Sequence, residues 1–228
     1  AFAQENRDDL TPLEVVYTTT VSKDLKRFEI EMQIANVRRP TIHLAMPSWT
    51  PGAYGIGNYG ERVENLRAEG GGGGELEVVR MAANTWSIAT GARDRVRVTY
   101  ELSASRRGRF GRGRQSEDED EANVTGLRLD GPRTYAYVRG AKHLPVVSRY
   151  VLPKGWKIAN GLLPTDEPRT RRARDYDTFI DAPTILGHFE ERRFQVAGTP
   201  FECVFFDNSQ EYDFDIDAFV AIVERIVV

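Results

Sequence analysis

The chain has 228 residues, 40% hydrophobic and 10% aromatic, enough to bury a sizeable core and too apolar for a disordered or fibrous protein. Lys and Arg number 31 against 34 Asp and Glu, and the resulting net charge of -3 supplies no overall attraction to nucleic acid or to an anionic membrane. No apolar run approaches the roughly 18 residues of a membrane-spanning helix, and the single cysteine, Cys203, excludes an internal disulfide.

In chain order, Ala1-Phe2-Ala3-Gln4 reads as the remnant of an A-x-A cleavage site, so residues 1–10 are expected to be a flexible stub left by a signal peptide, and the protein periplasmic or secreted. Strict alternation follows. Phe28, Ile30, Met32 and Ile34 interleave with Glu29, Glu31 and Gln33, and Val96, Val98, Tyr100 and Leu102 interleave with Arg95, Arg97, Thr99 and Glu101. This period of two marks strands with one wet face. Weaker runs predict strands at 15–21, 42–46, 63–68, 76–81, 86–89, 135–138, 146–152, 189–196 and 201–206. Many short strands separated by Gly, Pro and Asp predict an antiparallel sandwich or saddle-like sheet.

Between these strands lie segments of other kinds. Gly70–Gly74 is a run of glycines expected to be a hairpin connection or a flexible loop. Residues 106–121, RRGRFGRGRQSEDEDE, form a basic block followed by an acidic one. The acids would repel phosphate within about a Debye length, so a surface loop is expected here rather than a nucleic-acid segment. Asn123-Val124-Thr125 matches a glycosylation sequon. Asp175–Pro183 reads as a short helix or turn, capped by its acids and stopped by the proline. From Asp213 the period changes to that of a helix, with Ile216, Phe219, Val220, Val223 and Ile226 on one face. The chain closes on Ile226-Val227-Val228 without a cap, so it is expected to be a fragment that lacks its next domain.

The sequence has no local catalytic motif. His43, His143 and His188 are far apart, and no H-E-x-x-H pair is present to begin a zinc site. There is no G-x-S-x-G elbow, and Cys203, flanked by Phe201, Val204, Phe205 and Phe206, reads as a buried small apolar residue. Gly55, Gly57 and Gly60 imitate a phosphate loop, but a strand is expected behind them where such a loop needs a helix.

Four segments taken together are more specific: MPSWTPGAY over Met46–Tyr54, the Asn84-Thr85-Trp86-Ser87-Ile88 run, LPKGW over Leu152–Trp156, and DYDTFIDAPTILG over Asp175–Gly187. In this order they resemble the N-terminal half of the glycyl aminopeptidase family of zinc metallopeptidases. The resemblance extends through Phe201–Val228. It implies an N-terminal β domain over residues 11–187, with 106–121 as a charged insertion, and the first strands and helix of a truncated thermolysin-like α+β catalytic domain over 188–228. The H-E-x-x-H zinc site, and often a PDZ domain, would then lie beyond residue 228. By this likeness the chain holds neither a zinc ion nor a catalytic residue of its own, and its partners are the missing catalytic domain and a peptide substrate. Trp49, Tyr54 and Tyr59, with Asp181, are the expected substrate-lining residues. Two departures stand out: glycines at 55, 57 and 60 where relatives carry larger residues, and Ile185 where a glutamate is common. The alternatives are a stand-alone β-sandwich that grips a peptide or sugar, and a degenerate peptidase-like scaffold.

Overall fold

A computed structural model describes residues 13–50, 55–104, 126–205 and 215–227. The expected leader remnant, Tyr54, the charged loop 106–121 and the sequon at Asn123 lie outside the described residues.

Strands β1 (Glu14–Val21), β2 (Arg27–Ala35) and β7 (Arg95–Ser103) are the long alternating segments. They pair antiparallel in the order β1-β2-β7 and put their apolar residues on one face. Ile30, Met32, Ile34, Val96, Val98 and Tyr100 are each 2% exposed or less. The other face carries the charges, where Arg97 joins Glu31 at 2.7 Å and Glu69 at 3.2 Å. Such solvated pairs contribute at most about 1 kcal/mol each, so it is the apolar face that holds the sheet in place. β4 (Glu64–Gly70) extends this sheet beyond β7. Its far side adds β10 (Val146–Val151), β13 (Thr170–Ala173) and β12 (Leu163–Pro164), for the seven-stranded order β12-β13-β10-β1-β2-β7-β4. The β1–β10 pairing is parallel, a departure from the all-antiparallel expectation.

A second, four-stranded sheet has the order β5-β6-β3-β9, built from β3 (Thr41–Ala45), β5 (Val78–Ala82), β6 (Thr85–Ala89) and β9 (Tyr137–Val138). Its Ile42, Leu44, Trp86, Ile88 and Val138 join the large sheet's apolar face in one buried cluster, the sandwich core. The glycine run closes the β4–β5 connection. Gly73 and Gly74 there take φ of +83° and +92°, a conformation that residues with a Cβ rarely adopt. A third sheet, β11-β14-β8, pairs Lys157–Ala159, Thr184–Gly187 and Gly126–Leu129. Ile185 is half-buried in its central strand, opposite Arg128 and Ala159.

Two short helices pack against each other. α1 (Gly131–Thr134) has Pro132 in its first turn, and α2 (Tyr176–Asp181) begins at Asp175, whose carboxylate accepts the Thr178 amide at 2.7 Å. Of the short helix or turn expected at 175–183, the chain forms the helix, over Tyr176–Asp181. That amide, then the Thr178 hydroxyl and Arg174, hold the Asp175 carboxyl below its ordinary pKa. After His188 the chain forms a hairpin, β15 (Glu190–Val196) with β16 (Thr199–Phe205), and then the helix α3 (Ile216–Ile226). Cys203 is only half-buried in this hairpin, because β15, β16 and α3 enclose no core and bury none of their described residues; the expectation of a buried thiol is corrected. No helix among the described residues is long and apolar enough to cross a membrane.

Candidate functional site

The aromatic loop leaves β3 at Met46, which is 2% exposed and anchors the departure point in the core. Its outgoing arm is tied to its returning arm by two contacts. The Gly57 amide donates to the Ser48 carbonyl at 2.8 Å, and the hydroxyls of Thr50 and Tyr59 meet at 2.8 Å. Trp49 lies between these tied neighbours and stays 56% exposed, while Ile56 nearby is 87% exposed. An indole held outward by bonds on both sides is available for contact with another molecule.

The returning arm becomes a single 3-10 turn at Tyr59–Arg62, and the hairpin between β5 and β6 holds it from below. Asn84 is the central residue of this contact. Its side-chain oxygen accepts the Gly60 amide at 2.7 Å, its amide nitrogen donates to the Gly57 carbonyl at 3.2 Å, and its own carbonyl accepts the Met46 amide at 2.9 Å. Gly60 presses so closely on this hairpin that a Cβ would fall 2.3 Å from the Ala83 carbonyl oxygen. This position requires glycine for space, and a phosphate-binding role is not needed to explain it.

On its other side the turn packs against α1, and α1 against α2. The Arg133 guanidinium lies 5.2 Å from the Tyr59 ring centroid, a cation–π contact, and its Nε is 3.2 Å from the Asp130 carboxylate. Gly131 touches the α2 backbone so tightly that a Cβ would be 2.2 Å from the Ile180 carbonyl oxygen. The two sequence-marked segments, 47–60 and 175–187, thus meet through α1.

The α1 segment is itself held from within the core. Tyr100 donates to the Thr134 carbonyl at 2.9 Å and accepts the Ala136 amide at 3.0 Å; Tyr17 donates to the Ala136 carbonyl at 2.7 Å, and Tyr176 to the Tyr135 carbonyl at 2.5 Å. The Tyr135 and Thr19 hydroxyls pair at 2.8 Å. Phenols therefore satisfy buried backbone groups that no strand pairs, as a dry interior requires. Burial pushes the Tyr17, Tyr100, Tyr135 and Tyr176 hydroxyls above the ordinary phenol pKa.

Of the expected lining residues, Trp49 is exposed on the loop. Tyr59 is half-buried and serves as a loop anchor through Thr50 and Arg133, and Asp181 is exposed at the end of α2. Tyr54 is outside the described residues. Sequence reasoning did not single out Arg133, Thr50 or Gly131, and it placed Asn84 only within a family motif. Among the described residues no three His, Cys, Asp or Glu side chains converge to hold a metal ion. His43 is half-buried in β3, and His143 and His188 are exposed, the latter edge-on to Trp156 at 6.5 Å.

The Peptidase M61 N-terminal domain family matches residues 17–188. A crystal structure of an aminopeptidase N family protein from Idiomarina loihiensis superposes with a TM-score of 0.75 at 22% identity, over 93% of this chain and 35% of that one. Yeast LTA4 hydrolase in complex with bestatin gives a TM-score of 0.39 at 8% identity, over 82% of this chain and 30% of that one, too loose a likeness to carry an argument. The chain thus spans about a third of the length of these solved proteins. A search of the curated proteins found no match.

Proposed function

From a chain that belongs to the Peptidase M61 N-terminal domain family, we propose a non-catalytic β domain of a secreted or periplasmic zinc aminopeptidase, which shapes the cleft that receives a peptide substrate. The observation that carries the reading is the family match, which extends from β1 to the end of β14 and so takes in both marked segments. The exposed Trp49 and the adjoining turn, α1 and α2 support it, since a cleft wall needs an apolar contact surface on a rigid base. In this reading the zinc lies in a catalytic domain beyond residue 228, which is the chain's partner, with a PDZ domain behind it in some relatives. Zinc, where bound, would polarise the scissile carbonyl and activate water. The residues of this chain would contact the substrate and limit its access to solvent.

Elemental analysis and an aminoacyl-anilide assay test the division of labour. Residues 1–228 alone should hold no stoichiometric zinc and release no anilide, and a longer protein that includes the downstream reading frame should do both. One tightly held zinc per 228-residue chain would overturn the proposal.

A further inference from the structure

The geometry points to Asn84 as the positioning residue of the aromatic loop: a side chain outside the loop that bonds its returning arm at two points, Gly57 and Gly60, and thereby sets where Trp49 and Tyr59 stand. The inference rests on the reading of this loop as a cleft wall, but its physical content is separate from that reading.

The orientation of the carboxamide follows from chemistry. The Gly60 amide can only donate, so the Asn84 oxygen must face it at 2.7 Å; the Gly57 carbonyl can only accept, so the Asn84 nitrogen must face that group, at 3.2 Å. A carboxamide side chain supplies both a donor and an acceptor at this reach without a change of charge. Aspartate offers acceptors alone when ionised, and serine is a bond shorter. The main chain of Asn84 adds a third tie through its carbonyl to Met46, at the point where the loop begins. The residue therefore holds the start of the loop with its backbone and the end with its side chain. The base is fixed as well: Asn84 sits in the hairpin between β5 and β6, beside Trp86, which is 4% exposed. Gly60 completes the fit, because its lack of a side chain lets the arm approach within bonding distance. The outgoing arm then follows the returning arm through the Ser48–Gly57 and Thr50–Tyr59 bonds. Loosening the clasp leaves those bonds without a fixed base, and Trp49 between them loses its defined position.

The test uses the full-length protein. Asn84→Ala should accelerate hydrogen exchange in peptides covering residues 55–63 by at least about tenfold, the loss expected when a protecting bond worth about 1.4 kcal/mol is removed. Peptides from β1, β2 and β7 should be unchanged, and KM for peptide substrates should rise several-fold with kcat nearly constant. Asn84→Asp guards against a folding defect. It keeps the acceptor for Gly60 but sets a carboxylate against the Gly57 carbonyl, so its KM should fall toward the parent value as pH drops through the carboxylate range and the protonated acid again donates. Unchanged exchange at 55–63 in Asn84→Ala, or a pH-independent KM ratio in Asn84→Asp with slowed exchange at acid pH absent, would overturn the inference. Faster exchange with unchanged KM would support the clasp and instead contradict the reading of the loop as a cleft wall.

Discussion

Residues 13–187 and 190–227 are held together by different forces. The first region has a continuous apolar cluster that runs from Leu13 to Leu186 across its sheets. In the second, no described residue is buried. β15, β16 and α3 hold to one another through ion pairs, Arg192 to Asp217 at 2.7 Å and Arg193 to Glu202 at 2.7 Å, and through ring contacts such as Phe205 against Phe219 at 5.8 Å. Exposed ion pairs contribute little, whereas each fully buried aliphatic side chain contributes on the order of 2 kcal/mol. Stability is therefore concentrated in the sandwich, and the loop carrying Trp49 is attached to that stable part.

The largest expected effect lies in the core. In the 228-residue chain, Ile30→Ala at 1% exposure should cost about 2–5 kcal/mol in denaturant unfolding. Ile222→Ser on α3, at 47% exposure, should stay within about 0.5 kcal/mol. Equal losses at the two sites would erase the contrast between the regions.

Alkali should separate the regions next. The buried tyrosines have folded pKa values above that of a free phenol, so their contribution is complete below about pH 10 and is lost as pH rises through the folded values. Tyrosinate absorbance of these residues should therefore appear together with unfolding of the sandwich. Stepwise ionisation with the sandwich still folded would show that the phenols do not brace the α1 segment.

A smaller effect is expected at the edge of the site. Asp175→Ala removes the α2 cap and should cost about 1 kcal/mol. In the parent protein the Asp175 carboxyl has a lowered pKa, so its contribution is present above the ordinary aspartate value and is lost as pH falls through the folded one. The stability difference between parent and variant should accordingly shrink in acid. A difference that is constant down to pH 2 would remove the charge from the explanation.

Much of this organisation was legible in the residues themselves. Alternation predicted β1, β2 and β7 because each has one dry and one wet face, and the acids around Tyr176 predicted a cap that Asp175 supplies. β8, β11, β12, β13 and β14 gave no usable period, since each is only two to four residues long. The α1 bridge was not legible either. Gly131 has no local signal to mark it, and its need for glycine comes from Ile180, which only the fold brings near. Asn84 stood within a recognisable motif, but its role depends on Gly57 and Gly60, partners 27 and 24 residues distant. The exposure of Trp49 likewise follows from ties made by its neighbours, Ser48 and Thr50.

Trp49→Ala in the full-length protein tests the central claim most directly, with substrate kinetics and thermal unfolding measured on the same sample. An indole that lines the cleft and packs on little else predicts a several-fold rise in KM and a Tm within about two degrees of the parent, since exposed substitutions cost little stability. A large fall in Tm with unchanged kinetics would contradict the account.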